Sequence, residues 1–188
     1  MICLAGNLPA LQIGHQQVVG YDTGWIDESL RRAAVASNRV DFPFIDDIRD
    51  GILHYLEKRC PLRVFALEDL FKRMRVMLRK IGCHAIADHL IPLAPPVTVS
   101  LVGPAREAGN GFELIFFRLL TEEINLLRHS GAESIRFCDI DACVEILSNG
   151  KSKQKASRQI KAEIVSFLER FDKAPLAPER NFHLTLDL

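Results

Sequence analysis

The sequence has no excess of either charge and no long apolar run. It contains 24 basic and 24 acidic residues, so its formal net charge is zero. No overall electric field therefore steers it toward nucleic acid, an anionic membrane or an acidic substrate. No apolar stretch approaches the roughly 20 residues that a membrane-spanning helix needs. We expect no membrane span and no nucleic-acid partner.

Cysteine is also sparse and irregularly placed. The five cysteines are odd in number and widely scattered, unlike a disulfide framework or paired zinc ligands. They are Cys3, Cys60, Cys83, Cys138 and Cys143. This use of cysteine is typical of a reducing compartment, so we expect a cytoplasmic protein. Because 48% of its 188 residues are hydrophobic, the chain can bury one good core or two small ones.

Local catalytic motifs are missing as well. No serine or cysteine stands in a nucleophile-elbow pattern, and the glycines of segment 103–111 lack the GK[ST] ending of a P-loop. The sequence therefore assigns no catalytic residue and no metal ligand, and it does not favour an enzyme.

Prolines divide the chain near residue 94. Pro92, Pro95 and Pro96 cannot continue a helix and favour extended backbone before Val97. The sequence predicts two parts, 1–94 and 95–188, in an α+β fold. The first part is predicted to be mainly helical, with a short β-hairpin and about four helices. Its expected elements are strands at about 11–16 and 18–22, helices at about 24–37 and 67–81, a helix after Pro43, and a short helix from Cys83 to Leu90.

The second part alternates between strand and helix patterns. Segment 97–103 alternates as a strand, and segment 111–119 is interpreted as its hairpin partner across a loop at 103–111. The remaining expected elements are helices at about 121–129, 142–147 and 152–171, and strands at about 134–140 and 181–188. These elements predict a small mixed or antiparallel sheet covered by helices.

A short stretch of the first part, "VVGYDTGWIDESLRRAAVAS", carries a family resemblance. An apolar strand ends in Tyr21 and Asp22, and the next helix opens with Ile26, four residues after that aspartate. With two further amphipathic helices and a short terminal one, residues 11–90 resemble the ATP-cone. This is the small nucleotide-binding regulatory domain of ribonucleotide reductases and of the bacterial repressor of their genes. The resemblance covers under half of the chain.

The chain departs from that family at the positions that meet phosphate. The family's first strand carries a basic pair and a turn glycine, and its first helix opens with a lysine. The corresponding places here hold Ile13, Gly14, Gln16 and Trp25. Because phosphate binding needs positive charge or convergent backbone donors, the resemblance implies the fold more than it implies ATP binding.

A ligand of the ATP or dATP class, if one binds, is expected where the two strands meet the first helix. The candidate nucleotide-binding residues there are His15, Tyr21 and Trp25, and Trp25 could stack on a base. The other interpretation is that Trp25, the only tryptophan, fills a disused site.

Two carboxylates after the strand at 134–140 form a second candidate site. Asp139 and Asp141 lie on one face of a strand end, where they could hold a divalent ion or act as acid and base. The alternative interpretation is that Asp141 caps the following helix and Asp139 is solvated at the strand edge.

Two further clusters are interpreted as ordinary surface. The segment "CHAIADH" contains ligand-type residues, but four ligands of one short helix cannot all converge on a metal. These are Cys83, His84, Asp88 and His89. The second cluster is basic and lacks the interleaved aromatics of a nucleic-acid site. Its residues are Lys151, Lys153, Lys155, Arg158 and Lys161.

These patterns favour a non-catalytic, cytoplasmic regulatory or interaction protein with an ATP-cone-like module that has lost or altered nucleotide binding. The alternative is a metal-dependent enzyme or metal-binding module that uses Asp139 and Asp141. A third reading is a protein-binding module that uses the faces of the helix around 67–81, and any self-association is expected as a homodimer.

Overall fold

The fold is α+β, as the sequence predicts, and it divides into two compact units, 1–95 and 96–188. The structure is a computed structural model. It describes residues 8–109, 113–148, 154–172 and 182–187. Among these residues, no helix is both long enough and apolar enough to cross a membrane.

The N-terminal unit contains a three-stranded sheet in the order β2-β1-β3. Strands β1 (Ala10–Ile13) and β2 (Gln16–Val18) form a hairpin, as expected, around a two-residue turn. The predicted bounds, 11–16 and 18–22, are wrong, because the turn lies inside the first range and residues 19–22 of the second lie outside β2. Strand β3 (Val64–Ala66) pairs in parallel with β1. The sequence patterns missed β3, because three residues directly before a helix are too few to show an alternation.

Four helices complete this unit, in the number that the sequence predicts. They are α1 (Gly24–Ala36), α2 (Ile45–Lys58), α3 (Leu67–Lys80) and α4 (His84–His89). Helix α3 shows why these segments are helical: its buried residues recur every three or four positions, which places them on one stripe. That stripe consists of Leu67, Leu70, Phe71, Met74 and Leu78.

The helices of this unit pack around the hairpin and around one another. Helix α1 packs against α2 and α4, and α3 packs against α4 and against strands β1 and β3. Leu11 and Ile13 of β1, with Ile26 and Leu30 of α1, are almost completely buried. The start of α1 therefore lies in the core of the unit, and this position decides the surroundings of Trp25.

The C-terminal unit repeats a strand and a pair of helices. Its elements are β4 (Val97–Ser100), α5 (Val102–Ala108), α6 (Glu113–His129), β5 (Ser134–Cys138), α7 (Ile140–Leu147), α8 (Gln154–Asp172) and β6 (His183–Leu186). The strands lie in the order β4-β5-β6, and both pairs are parallel. The predicted mixed or antiparallel sheet is therefore wrong for this unit.

The predicted hairpin after β4 is also wrong. Segment 102–108 is helix α5 instead of a loop, and residues from Glu113 onward form helix α6 instead of a strand. The run of apolar residues in this stretch predicts a strand, but those that are buried have helical spacing. They are Phe116, Leu120, Ile124 and Leu127.

Among the described residues of the C-terminal unit, helices cover one face of the sheet and leave the other uncovered. Alternate residues of β4 and β5 are buried on that side: Val97, Val99, Ile135 and Phe137. The opposite side is exposed or half-buried. We call it the open face, and it consists of Thr98, Ser100, Ser134, Arg136, Cys138, His183 and Thr185.

Candidate functional site

Trp25 lies in the core of the N-terminal unit. Its side chain is 6% exposed. Its ring centroid lies 6.3 Å from that of Tyr21, edge-on, and 6.1 Å from that of Phe71. The indole Nε1 is buried and has no hydrogen-bond partner among the described residues. Trp25 is thus packed between two rings.

Tyr21 closes the base of the hairpin. Its hydroxyl donates a hydrogen bond of 2.9 Å to the backbone oxygen of Pro9, which joins the chain after β2 to the chain before β1. Burial, with a smaller contribution from the charge of Cys60, raises the pKa of Tyr21 to about 12. The phenol therefore stays protonated in neutral solution and acts as a donor.

The other positions of the nucleotide hypothesis have different surroundings. His15 lies exposed in the turn between β1 and β2, whereas Ile13 is only 1% exposed. The structure thus brings Tyr21 and Trp25 into ring contact and places His15 at the tip of the hairpin. Ile13, where the resembled family keeps a cation, is a core residue.

Helix α1 begins without a capping hydrogen bond from a side chain. Thr23 is the N-cap residue, but its side chain makes no capping hydrogen bond. Asp22 Oδ1 accepts a hydrogen bond of 2.9 Å from the amide of Gly24, which stabilises the turn just before the helix. Ile26, the helix isoleucine of the resemblance, is fully buried.

An ion cluster that the sequence analysis missed links helices α1 and α2. Arg49 Nη1 lies 3.1 Å from Asp27 Oδ2 and 3.0 Å from Asp46 Oδ1, and Arg49 Nη2 lies 2.9 Å from Asp50. Hydrogen bonds to Asp27 and then Asp50 raise the pKa of Arg49. Only the i, i+3 spacing of Asp46 and Arg49 could be recognised in the sequence, because Asp27 comes from another helix.

The second candidate site lies where strands β4 and β5 end. Ser100 Oγ donates a hydrogen bond of 2.6 Å to Asp139 Oδ2, and the thiol of Cys138 donates to the same oxygen at 3.4 Å. Ser100 Oγ in turn accepts a hydrogen bond from the amide of Val102. The serine hydroxyl is therefore used as both donor and acceptor within the fold.

Asp139, and not Asp141, stands at the N-cap position of helix α7. Asp139 has left-handed backbone, with φ 64°, and its side chain makes no capping hydrogen bond. Asp141 lies in the first turn, and its Oδ1 is 2.7 Å from Nζ of Lys161 on helix α8. The expectation that Asp141 caps the helix is wrong, since the helix begins two residues earlier than that expectation places it. Each carboxylate is engaged by a different set of donors.

Replacing Ser100 with alanine is expected to raise the pKa of Asp139. The hydrogen bonds of Ser100 and then Cys138 hold this pKa below its ordinary value of 3.8. A lowered folded-state pKa contributes stability above the ordinary pKa, and this stability is lost as the pH falls through the folded-state value. The contribution of Asp139 should therefore begin to decline as the pH falls below about 4, and less should be lost in Ser100→Ala.

An NMR titration of the Asp139 carboxyl carbon measures this change directly. Ser148→Ala is the matched control, because the hydroxyl of Ser148 binds the backbone oxygen of Glu145 and no carboxylate. An unchanged Asp139 pKa in Ser100→Ala would contradict the assignment of the hydrogen bond.

Two clusters were interpreted from the sequence as ordinary surface, one in segment 83–89 and one basic cluster in segment 151–161. In the segment 83–89, Asp88 pairs with Arg79 at 2.8 Å, and Nδ1 of His89 lies 2.8 Å from the oxygen of Ala85. No group of three or more metal-ligand side chains converges within the described ranges. Of the basic cluster, Lys151, Lys153 and the side chain of Lys155 lie outside the described residues.

A surface cavity of about 500 Å³ lies in the loop between α1 and α2. It is lined by the single segment 38–44, which contains exposed Val40 and Phe44. No motif in the sequence marks this loop, because a cavity formed by backbone curvature leaves no side-chain pattern. Asn38, at its start, has left-handed backbone with φ 58°.

The two units therefore present different chemistry. The N-terminal unit has packed rings at Tyr21 and Trp25. The C-terminal unit has a hydroxyl, a thiol and a carboxylate joined at Ser100, Cys138 and Asp139. No protein-family model matches the chain, and no curated protein or solved structure matches it either.

Proposed function

We propose that this chain is a non-catalytic, cytoplasmic regulatory or interaction protein. Its N-terminal unit is an ATP-cone-like scaffold that no longer binds ATP or dATP. The order of elements supports the likeness, since a hairpin, a helix with Trp25 in its first turn and three further helices occur in the order that the resemblance implies, with β3 added between α2 and α3. The four described cysteines are free thiols, which suits a reducing compartment.

The position of Trp25 carries this proposal. Where the resembled family keeps a lysine for phosphate, this chain has an indole that is 6% exposed and packed against Phe71. A buried aromatic ring supplies neither a charge nor a convergent donor for phosphate oxygens. The scaffold is kept by Ile26 and Leu30, both fully buried, while the ligand position is filled by the protein itself.

Nucleotide titrations test the loss of binding. Because the chain has one tryptophan, its fluorescence reports on this position alone. We expect ATP and dATP at about 1 mM to leave both the melting temperature and the emission of Trp25 unchanged. A ligand present at 100 times its Kd would instead stabilise the fold by about 2.7 kcal/mol. A saturable rise in melting temperature with a change in emission would overturn the proposal.

A metal analysis tests the enzyme alternative. Asp139 Oδ2 accepts from Ser100 and Cys138, and Asp141 pairs with Lys161, so both carboxylates have donors inside the protein. We expect the purified protein to retain less than a stoichiometric amount of divalent metal and to gain no thermal stability from added Mg²⁺ or Mn²⁺. A retained ion that Asp139→Asn removes, with Asp69→Asn as the control, would favour the metal-dependent function.

A further inference from the structure

The open face of the C-terminal sheet is an unusual surface. All three strands are parallel, and parallel sheets are almost always covered on both faces. Here the helices cover one face, and Thr98, Arg136 and Thr185 on the other are exposed. This unit therefore presents to solvent a kind of surface that proteins normally bury.

The charges of this face are ordered along the strand direction. Residues that pair across neighbouring strands form rows on this face. By register, His183 lies beside Ser134 in the first row, and Arg136 lies between Thr98 and Thr185 in the second. Arg136 is exposed, and no ion pair joins it to a carboxylate of the described residues. The first two rows are thus cationic or neutral.

The end of the face at which the strands finish is acidic. Ser100 and Cys138 form the third row, and both donate to the carboxylate of Asp139. Asp187, directly after β6, lies beside Cys138. The amide of Asp187 continues the pairing of β6 with β5 through a 2.9 Å hydrogen bond to the oxygen of Phe137. Successive rows are about 7 Å apart, so the acidic end lies within reach of an arginine side chain from a neighbouring row.

The geometry points to a second copy of this chain as the partner of the open face, packed face to face with its strands antiparallel. A two-fold axis that runs across the strands reverses their direction. When this axis lies between the second and third rows, it sets Arg136 of each copy opposite Asp139 and Asp187 of the other, at the usual separation of about 10 Å between packed sheets. An axis parallel to the strands would instead bring the two Arg136 side chains together.

The mixture of charges selects this partner over others. A two-fold interface needs a surface that is complementary to itself. The open face carries His183 and Arg136 in its first two rows and is bordered by Asp139 and Asp187 where the strands finish. A nucleic acid or an acidic peptide lying along the strands would be repelled by the acidic end. The inference goes beyond the proposed function, because it concerns the C-terminal unit and does not depend on the nucleotide position.

The contact is small, so the dimer should be weak. A sheet of three short strands buries less than a standard interface, and such contacts are transient. Sedimentation velocity on the full chain, from about 10 μM to about 1 mM, covers the range of weak association. We expect the sedimentation coefficient to rise with concentration, and the association to weaken with added salt, because ion pairs at the rim of a face are screened.

Charge reversal tests the arrangement. Arg136→Glu should raise the dissociation constant at least about tenfold, since like charges would then face each other. Asp187→Lys should do the same, and the double variant Arg136→Glu with Asp187→Lys should restore association. Arg118→Glu, the same charge change on exposed helix α6, is the matched control and should leave the constant unchanged. Far-UV circular dichroism verifies that each variant is folded.

Other outcomes would overturn the inference. A chain that stays monomeric at about 1 mM, the affinity of a very weak complex, has no such interface. If Arg136→Glu does not weaken the association, the dimer uses another surface. If each single reversal weakens the association but the double variant does not restore it, the antiparallel pairing is excluded. A monomer that binds poly-glutamate through Arg136 would show that the face serves an acidic partner instead.

Discussion

Replacing Trp25 with alanine is expected to lower the free energy of unfolding by about 3–5 kcal/mol. The indole is buried between Tyr21 and Phe71, so its removal leaves a cavity that the surrounding helices can fill only in part. Small domains are stable by only about 5–15 kcal/mol. Urea-induced unfolding followed by circular dichroism measures the change, because the variant has no tryptophan fluorescence.

The size of this effect separates a core residue from a ligand residue. Trp25→Phe should cost only about 1–2 kcal/mol, since it keeps most of the ring and removes an indole N–H that is buried without a partner. Val76→Ala on helix α3, where Val76 is half exposed, should change stability by less than about 0.5 kcal/mol. A similarly small change in Trp25→Ala would show that this ring is a ligand surface rather than core.

Phe137→Ala is expected to lower the free energy of unfolding by about 3–5 kcal/mol as well. Phe137 is fully buried on the helix side of β5, the central strand of its sheet. Its neighbour in sequence, Arg136, points to the open face and is exposed. Arg136→Ala should therefore change the stability by less than about 0.5 kcal/mol.

The comparison of these two adjacent residues tests the one-sided sheet. The measurement belongs at low micromolar protein, where a weak dimer contributes little to stability. Circular dichroism in urea gives both values under the same conditions. If Arg136→Ala proved as costly as Phe137→Ala, the open face would be buried in the folded monomer, and the description of the sheet would be wrong.

The N-terminal unit was largely predictable from the sequence because its signals are local. The stripe of α3, from Leu67 to Leu78, has the spacing of an amphipathic helix. The hairpin was predicted from two short strand patterns, but its turn at Gly14 and His15 falls within the first predicted strand, 11–16. The interpretation of Trp25 as a filled position came from a resemblance. Its burial against Phe71 was not predictable, because that contact joins residues 46 positions apart.

The C-terminal unit was harder to predict because its sheet is made of distant pairs. A parallel pairing such as Val97 with Ile135 leaves no turn signal, whereas a glycine-rich segment after a strand resembles a hairpin loop. The hydrogen bond from Ser100 to Asp139 spans 39 positions. Asp139 was recognised as a carboxylate at a strand end, and its thiol partner, Cys138, is its neighbour in sequence. Its hydroxyl partner, Ser100, follows only from the register of β4 and β5.

The left-handed backbone of Asp139 makes the junction between β5 and α7 a place where a designed substitution could relieve backbone strain. Most residues with φ near 64° are strained, and glycine is not. Natural proteins keep such strained residues mainly where the side chain does something that glycine cannot do. Here the aspartate keeps the hydroxyl of Ser100 and the thiol of Cys138 oriented. The junction therefore accepts backbone strain in return for a fixed arrangement of three polar side chains.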